Sequence, residues 1–215
     1  MIRGTDISDQ NGNLNISALP NDIAFVSLKA AQGLTELDPD FQNWYHELRD
    51  ARPEIVRIPY FFFDWYSDGV AQANHVLTRG VNFTESGTGP LMLDLEADSG
   101  SDIETYIMQN RELCIQRVND FKATLLASPL YNRKDMIIYS FDDFIKNTIQ
   151  QTWPDTIFWV ASYQNNPPPF IDGWHFQFWQ NSEYGQLNGN PTGGYYDLDE
   201  FMGTQSQLDA LANIV

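Results

Sequence analysis

One cysteine, Cys114, is all that the 215-residue chain contains. No internal disulfide can form, so cysteine usage leaves the redox compartment open. Cys114 shares a helical face with Ile107, Val118, Phe121 and Leu125, and reads as a small buried hydrophobe rather than a reactive thiol. Basic residues are also scarce. Twelve Lys and Arg stand against 29 Asp and Glu, a formal charge of −17. Such a chain repels phosphate backbones, which argues against nucleic acid as a partner. His46, His75 and His175 are scattered and no H-E-x-x-H occurs, so no metal site and no cofactor are expected. No G-x-S-x-G is present for serine chemistry. Apolar runs reach only strand length, so no membrane insertion is expected. Met1–Ile7 leads straight into a strand pattern, where an export signal would show a longer apolar stretch.

Apolar and aromatic residues are plentiful. Hydrophobic content is 42% and aromatic content 14%, enough for a sizeable core in one domain spanning residues 1–215. Strand-like segments fall at Ile2–Ile7, Phe25–Ala30, Val56–Phe63, Leu91–Glu96, Met136–Ser140, Ile157–Ala161, His175–Trp179 and Tyr195–Leu198. Helical patterns follow several of them: Asp40–Ala51, Val70–Arg79, a long helix over Asp102–Leu126, and Phe141–Gln151. Ser101 with Glu104 three residues on reads as a capping box for the long helix. Between the last three strands helices do not fit. Pro167, Pro168 and Pro169 interrupt one connection, and glycines with Pro191 make Asn181–Gly194 a loop. The expectation is an α/β fold: a modified TIM-like barrel of five β/α units followed by three strands joined by loops.

In parallel barrels, chemistry gathers at the C-terminal ends of the strands. Asp94 and Glu96 end the apolar run Pro90–Leu93, and alternation puts both on one face. Two close carboxyls can be driven apart in pKa, one staying protonated as an acid while the other stays charged. That is the basic equipment of a glycosidase. Asp6 and Asp197 come to the same rim from the first and last strands. Around them stand Tyr60, Tyr139, Tyr163, Trp179 and Gln180. Flat rings with a polar tip suit the apolar faces of sugars. Trp65, just past a strand end, is a further candidate for binding.

With these residues in place, the chain resembles glycoside hydrolase family 25, the Chalaropsis-type lysozymes (N-acetylmuramidases). Gly4-Thr5-Asp6-Ile7-Ser8 with Asn11-Gly12 is similar to the family's opening motif. Phe25–Ala30 with Gly33 resembles its second strand, and Asp94-Leu95-Glu96 its central D-x-E. Ile137–Ser140, Trp159–Tyr163, Trp179-Gln180 and Asp197-Leu198-x-x-Phe201 resemble later motifs in the same order. Two departures stand out: Tyr60-Phe61-Phe62 where the family often has Tyr-His-Phe, and Gln32 where Glu commonly precedes Gly33.

The resemblance implies a peptidoglycan-cleaving muramidase acting on the β-1,4 bond between N-acetylmuramic acid and N-acetylglucosamine. Glu96 would be the general acid. Asp94 would stabilise developing positive charge, by direct attack or by orienting the substrate's N-acetyl group. Asp6 and Asp197 would supply negative field. Tyr60, Trp65, Tyr139, Tyr163, Trp179 and Gln180 would position the sugars. Its partner would be the peptidoglycan glycan strand, met by a monomer at the cell wall, as a phage lysin, a delivered effector or a trimmed secreted enzyme. Two alternatives stay open. A chitinase-like glycosidase would want further Asp residues upstream, where this chain has Gly89 and Met92. A non-catalytic carbohydrate-binding barrel would have no need of four carboxylates. The pair spacing, about 6.5–7 Å between Cα atoms two residues apart on a strand, favours retention of configuration.

Overall fold

Eight strands close into a barrel because period-2 segments with apolar residues on both faces are covered on both sides. The structure, a computed structural model, describes residues 1–12, 14–97, 102–164, 166–169, 173–186 and 195–214. In chain order the strands are β1 (Ile2–Ile7), β2 (Ile23–Gln32), β3 (Glu36–Leu37), β4 (Val56–Phe62), β5 (Met92–Asp94), β6 (Ile137–Phe141), β7 (Ile157–Ala161), β8 (Phe176–Gly185) and β9 (Tyr196–Phe201). The order round the barrel is β1-β2-β4-β5-β6-β7-β8-β9, and β9 pairs back onto β1. Pairings from β1 to β8 are parallel, whereas β9 runs antiparallel to both of its neighbours. β3 is a two-residue strand paired antiparallel to the end of β2, outside the closed ring.

The helices are α1 (Phe41–Ala51), α2 (Gly69–Leu77), α3 (Ile103–Gln109), α4 (Arg111–Ala127) and α5 (Gln205–Leu211). α1 turns Phe41, Trp44, Tyr45 and Leu48 onto the outer face of β2, where Val26, Leu28 and Ala30 await them. α4 turns Cys114, Val118, Phe121 and Leu125 inward, packing with Phe61, Phe63 and Leu93. Cys114 is thus a buried core residue.

Aromatic rings fill the barrel interior. Trp159 stacks on Phe178 at 4.6 Å between centroids, and Phe25 meets both edge-on. A buried Phe side chain contributes about 1.5–3 kcal/mol relative to an exposed one. Gly4 makes room for this cluster: a Cβ there would lie 2.2 Å from the Phe25 ring. Leu208 of α5 and Ala212 join the same cluster at its lower end.

The structure differs from the sequence expectation in four places. The long helix Asp102–Leu126 breaks at Asn110, whose φ of −126° leaves the helical range. The Asn110 side chain donates to the Tyr106 carbonyl at 2.9 Å, the local competition with backbone that disfavours Asn inside helices. Ser101, the expected cap, lies outside the described residues. Over Phe144–Ile149 the expected α-helix winds wider, as a π-helical turn ending on left-handed Gln150 at φ 56°. β8 continues through Ser182 to Gly185, into the stretch expected as loop, because it pairs with β9 as far as Tyr196. α5 follows β9 with a Thr204–Gln207 capping box.

Candidate active site

The C-terminal ends of the parallel strands open into a cavity of about 670 Å³. Its walls carry Asp6 and Ser8 from β1 and its exit, Lys29 from β2, Tyr60 and Phe62 from β4, and Met92 and Asp94 from β5. Gln10, Glu96, Ala97, Tyr139, Phe141, Tyr163, Gln180, Glu183 and Asp197 complete it. Asp94 and Glu96 therefore face one space, with Asp6 and Asp197 across it.

The Asp94–Glu96 segment is held by its backbone from three sides. Phe63 donates its amide to the Asp94 carbonyl at 3.0 Å. Leu95 donates to the Tyr139 carbonyl at 2.9 Å and accepts from the Ser140 hydroxyl at 2.6 Å. The Trp65 indole N–H donates to the Glu96 carbonyl at 2.8 Å. Trp65 is itself anchored, since Arg117 of α4 donates to its carbonyl at 2.6 Å. Buried Gln72 of α2 bonds Asp64 on both its amide and its carbonyl, fixing the loop before Trp65. The result is a pre-positioned acidic pair on rigid elements.

The electrostatics keep protons on this floor. Asp94 is 5% exposed, and burial, then the nearby Glu96 and Asp6 charges, push its pKa well above the ordinary range. The Lys29 ammonium acts the other way on Asp94. Lys29 bonds Gln32 at 2.8 Å and lies 5.2 Å from the Phe62 ring centre. Gln32, a departure from the family pattern, thus holds the cation that favours charge on Asp94. Burial and the Asp6 charge raise Asp197 to about 9. Asp6 is raised by burial and by the charge of Asp199.

A chain of hydrogen bonds spans the floor. The Tyr139 and Tyr163 hydroxyls donate to Gln180 Oε1 at 2.9 and 2.8 Å. Gln180 Nε2 donates to Asp6 Oδ2 at 2.8 Å. Burial raises the pKa of Tyr60 and Tyr139 well above the ordinary phenol value, so both remain neutral hydroxyls.

Eight of the ten residues singled out from the sequence line this cavity: Asp6, Tyr60, Asp94, Glu96, Tyr139, Tyr163, Gln180 and Asp197. Trp65 and Trp179 do not. Trp65 is fully buried between Phe63 and Phe144, at 5.2 and 6.0 Å, in the layer between barrel and helices. Trp179 packs in that same layer and donates to the Ser162 carbonyl at 2.8 Å. Neither ring can meet a sugar, which corrects the expectation for both. Lys29, Glu183 and Ser8 line the cavity without having been chosen from sequence. Among the described residues no group of three or more His, Cys, Asp or Glu is placed to hold a metal ion. Nor is any described helix long and apolar enough to cross a membrane.

A carboxylate-lined cleft at the C-terminal mouth of a β/α barrel with an antiparallel closing strand defines a glycosidase-type site. The family model for glycosyl hydrolases family 25 matches residues 5–190, and the chain belongs to that family. Among curated proteins it is similar to an autolytic lysozyme of Clostridium acetobutylicum, 27% identical over 201 residues, covering 93% of this chain and 56% of the relative. It therefore spans little more than half the length of that relative. Among solved structures, a bacterial lysozyme from Streptomyces coelicolor superposes with a TM-score of 0.87 at 26% identity, covering 100% of this chain and 98% of the other. A family GH25 lysozyme from Aspergillus fumigatus gives 0.82 at 26% identity, covering 98% of each chain.

Proposed function

We propose that this chain is a peptidoglycan-hydrolysing N-acetylmuramidase, its residues 1–215 forming one catalytic unit that acts at the cell wall. The observation that carries the reading is the Asp94–Glu96 pair, pinned by its backbone and open to a cleft wide enough for sugar rings. Glu96 serves as general acid, protonating the leaving glycosidic oxygen. Asp94, with Lys29 favouring its ionised form, stabilises the oxocarbenium-like transition state. Burial and the nearby Glu96 charge raise the Asp94 pKa, which favours a single proton on the pair, and that singly protonated state is the one the reaction needs. Tyr60, Tyr139, Tyr163 and Gln180 present neutral donors and acceptors to the sugars. The bond cleaved is the β-1,4 link from N-acetylmuramic acid to N-acetylglucosamine, with retention of configuration.

Purified peptidoglycan incubated with the protein, reduced with borohydride and analysed by mass spectrometry should yield reduced muramic acid ends. Reduced glucosamine ends would reassign the bond. No new ends at all would favour a binding barrel. Proton NMR of a soluble muropeptide, recorded before mutarotation, should show the β anomer first. An initial α anomer would move the base to the far side of the cleft.

A further inference from the structure

Asp199 belongs to no part of the site described so far. It lies on β9, two residues past Asp197 and two before Phe201, and alternation turns all three into the barrel. Because β9 runs antiparallel, Asp197 stands at the cavity wall, Asp199 one layer below, and Phe201 against Phe178 in the aromatic core. Asp199 is 2% exposed. Its backbone is locked on both sides, in register with Gly4 of β1 and Gln180 of β8.

The Asp199 carboxyl is only half satisfied. Oδ1 accepts the Trp159 indole N–H at 3.0 Å. Oδ2 is buried and has no hydrogen-bond partner of its own among the described residues. The Asp6 carboxyl is its neighbour: Asp6 is two residues on from Gly4, the β1 partner of Asp199, and bonds Gln180, which faces Asp199 on β8. Two neighbouring carboxyls with a buried, unpartnered oxygen between them are reconciled by a proton on one of them. Asp6 Oδ2 already accepts from Gln180, so a hydroxyl on Asp6 directed at Asp199 satisfies both groups. Asp197 on the same strand also acts on Asp6, and the other charged or titratable groups lining the cavity among the described residues are Asp94, Glu96, Lys29, Glu183, Tyr60, Tyr139 and Tyr163.

We propose that Asp199 is a positioning residue: it shares one proton with Asp6, holding Asp6 uncharged and docked on Gln180, so that the ionised charge of the cleft concentrates on Asp94. The proposal rests on the muramidase reading for its catalytic consequence, though not for the proton pair itself. With Asp6 neutral, one repulsive neighbour of Asp94 is removed. The Lys29 ammonium, which favours charge on Asp94, then works against burial and Glu96 with one opponent fewer.

The decisive variant is Asp199→Asn. It keeps the acceptor for Trp159 and offers Asp6 an N–H, so Asp6 ionises at lower pH. An added charge near Asp94 should shift the acid limb of the kcat/KM profile upward by about one unit. A uniform fall in rate with an unmoved limb would mark Asp199 as merely structural and overturn the proposal. Two measurements need no activity. Melting temperature followed from pH 4 to 9 should fall for the wild type, because both carboxyls have folded-state pKa values above the unfolded value. That fall should be shallower in Asp199→Asn; an identical slope rejects the shared proton. ¹³Cγ-aspartate NMR titration of the wild type should show two coupled carboxyls, one releasing its proton above neutrality. If every aspartate titrates below pH 5, no proton is shared, whether or not the variant folds. A wild type that leaves peptidoglycan intact yet shows the coupled pair would sink the muramidase reading alone.

Discussion

Replacing Trp65 by Phe separates two roles that the residue could have. The ring touches Phe63 and Phe144 and is fully buried, so the first cost is a void. Phe is smaller by roughly 40 Å³, which at about 24 cal/mol per Å³ gives about 1 kcal/mol. The second cost is the lost indole N–H to the Glu96 carbonyl. An orphaned buried acceptor costs about 1–3 kcal/mol. Glu96 is only half-buried, so water recovers part of that and the lower half of the range applies. Together these predict a loss of about 2–3 kcal/mol, or a melting temperature lower by about 4–12 °C in a chain of this size. The same bond fixes where the general acid stands. Loosening it should lower kcat by about 10–100-fold, the usual penalty for a misplaced group, with KM little changed because the ring does not line the cleft. Steady-state kinetics on a soluble muropeptide, paired with thermal melts, reads both quantities. A raised KM with unchanged kcat and unchanged melting would show Trp65 to be a sugar platform and refute the burial argument.

Glu96→Gln should lower peptidoglycan turnover by at least about 10²–10⁴-fold, the usual worth of a general acid, while circular dichroism and melting stay near the wild type. Full turbidity clearing by that variant would end the assignment. Gly4→Ala should destabilise by about 1–3 kcal/mol or more, because its Cβ meets the Phe25 ring at 2.2 Å inside a packed barrel; urea denaturation measures it. Asp197→Asn should raise stability at pH 8 and leave it unchanged at pH 4. The Asp197 carboxyl, lifted by burial and by Asp6 to about 9, binds a proton in the folded state that the unfolded chain has released by about pH 4, so its stabilising effect is lost as pH rises between those values. Parallel melts at the two pH values check the sign.

Much of the barrel is legible in the sequence because its strands are doubly buried. Val56–Phe62 and Ile157–Ala161 are apolar runs with no competing helical period, and both form strands. The misread elements fail for local reasons. Asn110 breaks an otherwise continuous helical stripe through its own side chain. The extension of β8 to Gly185 depends on its pairing with β9, a contact that no local pattern announces. Arg57, a charge within an apolar strand, is 1% exposed and bonds through one guanidinium nitrogen to the Ser86 carbonyl, Thr88 and Glu85 from a turn about 30 residues on, while its Nε has no partner among the described residues.

The misplaced site residues carry a sharper lesson, because strand parity already contradicted one of them. Trp179 and Gln180 are neighbours on one strand, and neighbours point to opposite faces. Gln180 bonds Asp6 and both tyrosines on the cavity floor, so Trp179 has to lie on the helix side, as it does. An aromatic residue near a catalytic motif says nothing about which face it takes; the parity of a polar neighbour does. The same parity, carried from Asp197 to Phe201, places Asp199 inside the barrel. What parity lacks is direction. Only the antiparallel run of β9, imposed by pairing with both β8 and β1, sets Asp199 beneath the cleft instead of above it. There a carboxyl cannot meet solvent and has Asp6 as its neighbour. The proton count of the cleft is therefore fixed by the direction of one strand as much as by the acids it carries.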